Sequence, residues 1–198
     1  VVTHNGHELN AEAILALDPT VVLTDYSIGP LEVQLQLRDA GIPVVIMDDA
    51  RSRDTVAPQI EEVAQVLGVP QAGATLAARV AAEIDAAEAD VAALAPADPE
   101  QRPRMVFLYL RGTAGVYYWF GQGSGADDLI ASLGGVDVAS ESGLAGEQPL
   151  TAEGLIKADP DLYLLMSQGL DSVGGPDGIE SVPGVADTTA GKTQCFVD

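Results

Sequence analysis

Two histidines, a tyrosine and an arginine are the residue types in this chain that could do chemistry together. His4 and His7 stand in Thr3-His4-Asn5-Gly6-His7-Glu8, and Tyr109 and Arg111 stand in Tyr109-Leu110-Arg111-Gly112, at the end of an apolar run that reads as a strand. A phenolate oxygen suits a hard ferric ion, and both tyrosine and histidine ligate haem iron. A guanidinium two residues along a strand lies on the same side as the tyrosine. There it would favour the phenolate and could pair with a haem propionate. A histidine from one part of the chain and a tyrosine from another would cap the two faces of a flat macrocycle. Taken singly, these residues have plainer readings. Histidines on a polar loop are solvated, and a strand-end tyrosine is half-buried packing.

Other chemistries find little support. No G-x-S-x-G, P-loop, H-E-x-x-H or C-x-x-C occurs. Gly121-Gln122-Gly123-Ser124-Gly125 resembles a phosphate loop only in its glycines; it lacks the lysine and reads as a turn. Two ligands three residues apart, His4 and His7, fall short of a closed tetrahedral metal set, although Glu8 or Glu12 could contribute. Cys195 is the single cysteine, so no internal disulfide is possible. The formal net charge of −21 disfavours nucleic acid and anionic membrane surfaces and would attract a basic partner protein. No apolar run reaches the roughly 18 residues that span a bilayer.

The elements that must position these residues are legible in outline. Asn10 to Leu17 reads as a short helix, capped by Asn10 and stopped at Pro19. Strands are expected at 21–24 and 44–47, and helices at 31–40 and 54–67. Alternation of this kind implies parallel sheet with crossover helices. In residues 71–94, Leu76, Val80, Ile84, Ala87, Val91 and Leu94 form one apolar stripe on a single long helix. At about 1.5 Å per residue it would reach roughly 36 Å and serve as a strut. The pattern then restarts with a strand at 105–110 and a second at 117–120, which could line a cleft but more readily fills a core. A helix at 126–133, a helix at 151–158, a strand at 162–166 and a last strand near 195–197 follow. The expected fold is therefore α/β: two Rossmann-like lobes with mostly parallel sheets, residues 1–70 and 96–198, joined by a backbone helix at 71–95, with a ligand cleft between them.

A repeat ties the lobes together. Leu9-Asn10-Ala11-Glu12, continuing to Asp18-Pro19, matches Leu150-Thr151-Ala152-Glu153, continuing to Asp159-Pro160. Each unit is a cap, a first-turn glutamate, a short helix, Asp-Pro and a strand. A favourable charge at a helix N-terminus accounts for either glutamate alone. Two matched carboxylates on two lobes could instead dock onto two basic sockets of a dimeric partner.

The run from Leu9 to Leu23 resembles the signature of the helical-backbone periplasmic binding proteins, which serve importers of cobalamin, iron-siderophores and haem. The resemblance covers essentially the whole chain and is strongest at the two repeat segments. It implies that Glu12 and Glu153 pair with arginines of an ABC permease dimer, which works with an ATPase. The histidine and tyrosine motifs are similar to those of haem-binding members from Gram-positive uptake systems. That implies haem b as the bound group, with His7 and Tyr109 as axial ligands of its iron and Arg111 beside them. His7 is preferred to His4, the fallback, because it stands directly before Glu8-Leu9-Asn10. Further pocket candidates are Met166 and Ser167, after the second repeat's strand, and Tyr26 in nearly the corresponding place of the first lobe.

The same resemblance implies an extracellular protein held to the outer face of the plasma membrane by a lipid anchor on an upstream cysteine. Family members carry further strands before the position of Val1 and helices after Asp198. Their lack would leave a short first sheet, whose edge could swap segments or dimerise, and would lower stability. The rival readings are a binding protein for a siderophore or cobalamin, and a haem enzyme with a tyrosine ligand.

Overall fold

The computed structural model describes residues 3–4, 8–27 and 29–198. The chain is α/β and divides into two compact units, residues 1–50 with 55–78, and residues 51–54 with 79–198.

The first unit opens on an antiparallel pair, β1 (Thr3–His4) and β2 (Glu8–Leu9). Helix α1 (Ala11–Leu15) is started by Asn10, whose side-chain oxygen accepts the Ala13 N–H at 2.8 Å. β3 (Val22–Thr24) and β4 (Val44–Ile46) pair in parallel across α2 (Leu31–Asp39). Gly41 ends α2 at φ +86°, a conformation glycine adopts without a steric penalty. α3 (Arg53–Val66) and α4 (Pro70–Leu94) follow.

The long helix exists at the expected place, but its buried line differs from the expected stripe. Leu76 is 40% exposed and Leu94 85% exposed. Gly73 and Ala77 are buried instead, and the line continues through the half-buried Val80, Ile84, Glu88 and Val91. The cause is close helix approach. A Cβ on Gly73 would lie 2.2 Å from the Ala64 Cβ on α3, so small residues make this contact and larger apolar ones flank it.

The second unit is built on one six-stranded sheet. Its strands are β5 (Arg104–Arg111), β6 (Val116–Phe120), β7 (Val136–Asp137), β8 (Glu147–Pro149), β9 (Leu162–Leu164) and β10 (Phe196–Val197). The order is β10-β9-β5-β6-β8, with β7 beside the start of β5. The β9, β10 and β7 pairings are parallel, whereas β5–β6 and β6–β8 are antiparallel. The antiparallel arm arises because only residues 112–115 link β5 to β6, too few for a crossover helix. Around the sheet lie α5 (Ala126–Ser132), α6 (Val138–Glu141), α7 (Ala152–Ala158), α8 (Ser167–Ser172) and α9 (Thr189–Thr193).

One face of β5 carries Val106, Leu108 and Leu110 into the main core, with Trp119, Leu155, Tyr163, Leu170 and Val185. The buried Tyr163 hydroxyl pairs with Thr188 Oγ1 at 2.5 Å, and its ionisation is pushed up to about 12, chiefly by burial. Such burial is tolerable because the hydroxyl keeps a partner.

Residues 51–54 are clamped to this unit. The Arg53 backbone N–H and Nε both donate to Asp128 Oδ2, at 2.7 and 2.9 Å, and Nη2 donates to Oδ1 at 3.1 Å. Arg53 Nη1 pairs with Glu88 on α4. The Arg53 side chain holds the Asp128 carboxyl below the usual carboxylate range by hydrogen bonding, against an opposing effect of burial.

Two outcomes are expected. Gly73→Ala gains up to about 1 kcal/mol of helix propensity but meets Ala64 far inside van der Waals contact. Overpacking of this kind costs about 1–3 kcal/mol, so a net loss is expected, with partial recovery in Gly73→Ala/Ala64→Gly by thermal melting. Asp128→Asn removes charge-assisted bonds worth about 1–2 kcal/mol at neutral pH. Because the folded state depresses this acid's ionisation, its contribution is present above the unfolded value of 3.8 and fades as pH falls through the folded one. Melting of wild type and Asp128→Asn should therefore differ most at pH 7 and draw together progressively as the pH is lowered below 3.8.

Candidate functional site

The opposite face of β5 is the one of interest. Strand alternation puts Phe107, Tyr109 and Arg111 on it, away from the main core. Register across the hairpin sets Phe107 opposite Phe120, Tyr109 opposite Tyr118, and Arg111 opposite Val116. Directly opposed residues share a face, so four aromatic side chains lie together. Phe107 and Phe120 have ring centroids 5.3 Å apart, and Tyr109 stacks on Phe120 at 6.2 Å with 14° between planes. On the neighbouring β9, Leu164 pairs with Phe107. Met166, two residues on in extended backbone and 43% exposed, therefore points to the same side near Tyr109.

One end of this face is closed. Ile130 of α5 covers it, with Met105 and Leu164 buried beneath. Toward Arg111 the face opens, with Tyr109 half-buried and Arg111 exposed. Among the described residues, neither the Tyr109 hydroxyl nor the Arg111 guanidinium has a hydrogen-bond or ion-pair partner. The strand end that carries them is fixed. Ser172 Oγ accepts the Gly112 N–H at 2.9 Å and donates to the Gly169 carbonyl at 2.7 Å. A Cβ on Gly112 would lie 2.4 Å from the Ser172 carbonyl oxygen, so only glycine fits there. The result is an aromatic shelf with a phenol oxygen and an unpaired cation at its open end. It could stack a flat, anionic, iron-bearing ligand.

The structure thus brings Tyr109, Arg111 and Met166 onto one face. Ser167 is exposed at the first position of α8, next to Met166. In the first unit, Tyr26 is 75% exposed in the turn after β3. His4 belongs to β1 by its backbone, while its side chain, like the whole of His7, lies outside the described residues. Glu12 and Glu153 are both exposed in the first turns of α1 and α7. The repeat is geometric as well as literal. Thr151 Oγ1 accepts the Gly154 N–H as Asn10 accepts that of Ala13. Asp18 and Asp159 both take left-handed backbone, at φ +49° and +41°.

Sequence reasoning missed Phe107 and Phe120 as shelf residues, and it favoured the core over the cleft for Tyr118, which the hairpin register instead sets opposite Tyr109. The signal that could have found them is the period of two, carried from Tyr109 across a short hairpin. Tyr117 and Trp119 do pack against or within the main core, as expected for that run. Among the described residues no group of three histidine, cysteine, aspartate or glutamate side chains could hold a metal ion, and no helix is long and apolar enough to cross a membrane.

No curated protein matches the chain. The haem-binding protein HmuT is 48% identical, with a TM-score of 0.88 over 99% of this chain and 62% of its own. HmuT variants with alanine replacing a tyrosine, an arginine two positions further on, or a histidine also match. The periplasmic haem-binding protein RhuT from Roseiflexus sp. RS-1 is 43% identical, with a TM-score of 0.84 over 96% of this chain and 70% of its own. BhuT, a periplasmic haem-binding protein in complex with two haems, is 33% identical, with a TM-score of 0.82 over 96% of this chain and 70% of its own. The chain spans about three-fifths of the length of HmuT. A family model described as periplasmic binding protein matches residues 1–198, and the chain belongs to that family.

Proposed function

We propose that this chain is the capturing part of an extracellular haem-binding protein that delivers haem to an ABC permease and its ATPase, and that it is not an enzyme. The observation that supports this most is the open shelf on β5, where Tyr109 and Arg111 stand two residues apart on one face with no partner among the described residues. HmuT, the haem-binding relative, has been varied at a tyrosine and an arginine of the same spacing. Tyr109 ligates the ferric iron of haem b as a phenolate, and Arg111 stabilises that phenolate or pairs with a propionate. The porphyrin stacks on the shelf of Phe120 and Tyr118, with Met166 resting against its edge. Ser167 and Tyr26 are further contacts. His7 is the second axial ligand, with His4 as its fallback.

A porphyrin is large and apolar, so much of its affinity comes from area removed from water; the Tyr–Fe bond and the propionate pairing fix its orientation. The aromatic and basic groups of the shelf would also serve a siderophore or cobalamin, but those ligands bring their own metal donors and leave the Tyr109 oxygen no iron position to fill. Delivery depends on Glu12 and Glu153, the exposed carboxylates at equivalent places in the two repeats, which dock onto arginines of a permease dimer. A lipid anchor upstream of this chain would hold the whole protein to the outer face of the membrane.

Titration of the purified chain with hemin should give a saturable Soret band with 1:1 stoichiometry and a high-spin charge-transfer band. Tyr109→Ala should abolish the charge-transfer band and weaken binding by more than tenfold, and His7→Ala should alter the spectrum with a smaller loss. Absence of saturable binding by folded chain rejects haem as the ligand. For docking, Glu12→Lys/Glu153→Lys in the full-length protein should leave hemin affinity unchanged and abolish uptake through the permease. A double variant that no longer binds hemin would show that these glutamates serve the ligand site instead.

A further inference from the structure

The shelf has a second cation that sequence reading did not find. Glu147 lies directly across from Phe120 on β8, and so on the same face as Phe107, Phe120 and Tyr109. Its carboxylate accepts from Arg51 Nη1 at 3.1 Å, with the side chains 55% and 45% exposed for arginine and glutamate. The backbone beneath Arg51 is fixed. Arg53 is clamped by Asp128 and Glu88, and Gly125 is so close that a Cβ there would lie 3.0 Å from the Arg51 Cβ and 3.1 Å from its carbonyl oxygen. The guanidinium itself is held at one exposed contact. Such exposed pairs add little stability and open readily. A pinned backbone with a weakly held, long cationic side chain is an arm with a set reach.

We propose that Arg51 is a second anchor for the anionic ligand of the shelf, kept in position by Glu147 and transferred to a ligand carboxylate on binding. This rests on the reading of the shelf as a haem site and deepens it. Haem carries two propionates, and Arg111 at the strand end can take one at most if it also serves the phenolate. Without Arg51, Glu147 would present a bare negative charge beside the incoming carboxylate. With Arg51 the pair is neutral before binding, and one charge-assisted hydrogen bond replaces another. Glu147 thus acts on the ligand in two opposed ways: it holds the arginine at the shelf, and it competes for it.

The two roles separate in a titration with hemin and with its dimethyl ester, which lacks the propionate charges. Arg51→Ala should weaken hemin by about tenfold, leave the charge-transfer band of Tyr109 ligation in place, and leave the affinity for the ester unchanged. Glu147→Gln should tighten hemin several-fold by releasing the arginine. Equal losses for hemin and ester in Arg51→Ala would make Arg51 a packing residue and overturn the proposal, as would unchanged hemin affinity in both variants. Failure of wild type to bind hemin is a separate result that overturns the haem reading and this proposal with it.

Discussion

The arrangement depends on the central strand β5 having two unlike faces. It is paired with β9 on one edge and with β6 and β7 on the other, so its register cannot slip without moving every side chain to the wrong side. Burial of Val106, Leu108 and Leu110 against Trp119, Leu155 and Tyr163 gives roughly 1.5–3 kcal/mol for each large side chain. That single face holds the strand. The other need not be covered along its whole length, and toward Arg111 it is not. A half-buried tyrosine and an exposed arginine can therefore be kept at a defined spacing without a core of their own, which is what a binding site requires of its scaffold.

This logic explains what the sequence disclosed. Tyr109 and Arg111 share a face by simple alternation, and an eight-residue apolar strand made that alternation safe to use. Tyr117 to Phe120 offered no such contrast, because every residue in the run is aromatic. Only the pairing with β5, set by a turn of four residues, decides that Tyr118 and Phe120 join Tyr109 while Tyr117 and Trp119 face the core. The long helix was legible for its length and misleading for its face. Apolar periodicity weighs leucines heavily and glycine hardly at all, yet close approach to α3 runs through Gly73 and Ala77 and leaves Leu76 and Leu94 outside. Arg51 was illegible because its partner is 96 positions away.

The repeat carries more than letters. Asn10 and Thr151 cap their helices through the same N–H three residues on, and Asp18 and Asp159 both turn through left-handed backbone before proline. Non-glycine residues take that conformation seldom, aspartate more than most. Two segments that share a cap and an unusual turn at one offset have one structural plan. The glutamates sit at the same station of that plan, but the capping bonds are made without them: Asn10 accepts the Ala13 N–H and Thr151 that of Gly154. A first-turn charge on helices this short adds about 0.3–1 kcal/mol at most. Local stability is thus a weak reason for a carboxylate at both places, and exposure of both leaves them free for a partner.

The net charge of −21 raises an apparent conflict with an anionic ligand. Range resolves it. Charges beyond about 8–10 Å are screened at physiological salt, whereas two unit charges 4 Å apart at an effective dielectric of about 20 interact at roughly 4 kcal/mol. A carboxylate of the proposed ligand, seated on the shelf, would interact chiefly with Arg111 and the Arg51–Glu147 pair. The summed negative field acts on encounter rather than on the seated ligand, slowing the approach of an anion and speeding that of a basic protein surface, most strongly at low salt. One chain can then hold an anion at close range and present a strongly acidic exterior. The two demands fall on different residues, because nine cations against thirty acids still suffice to place two guanidiniums on one face.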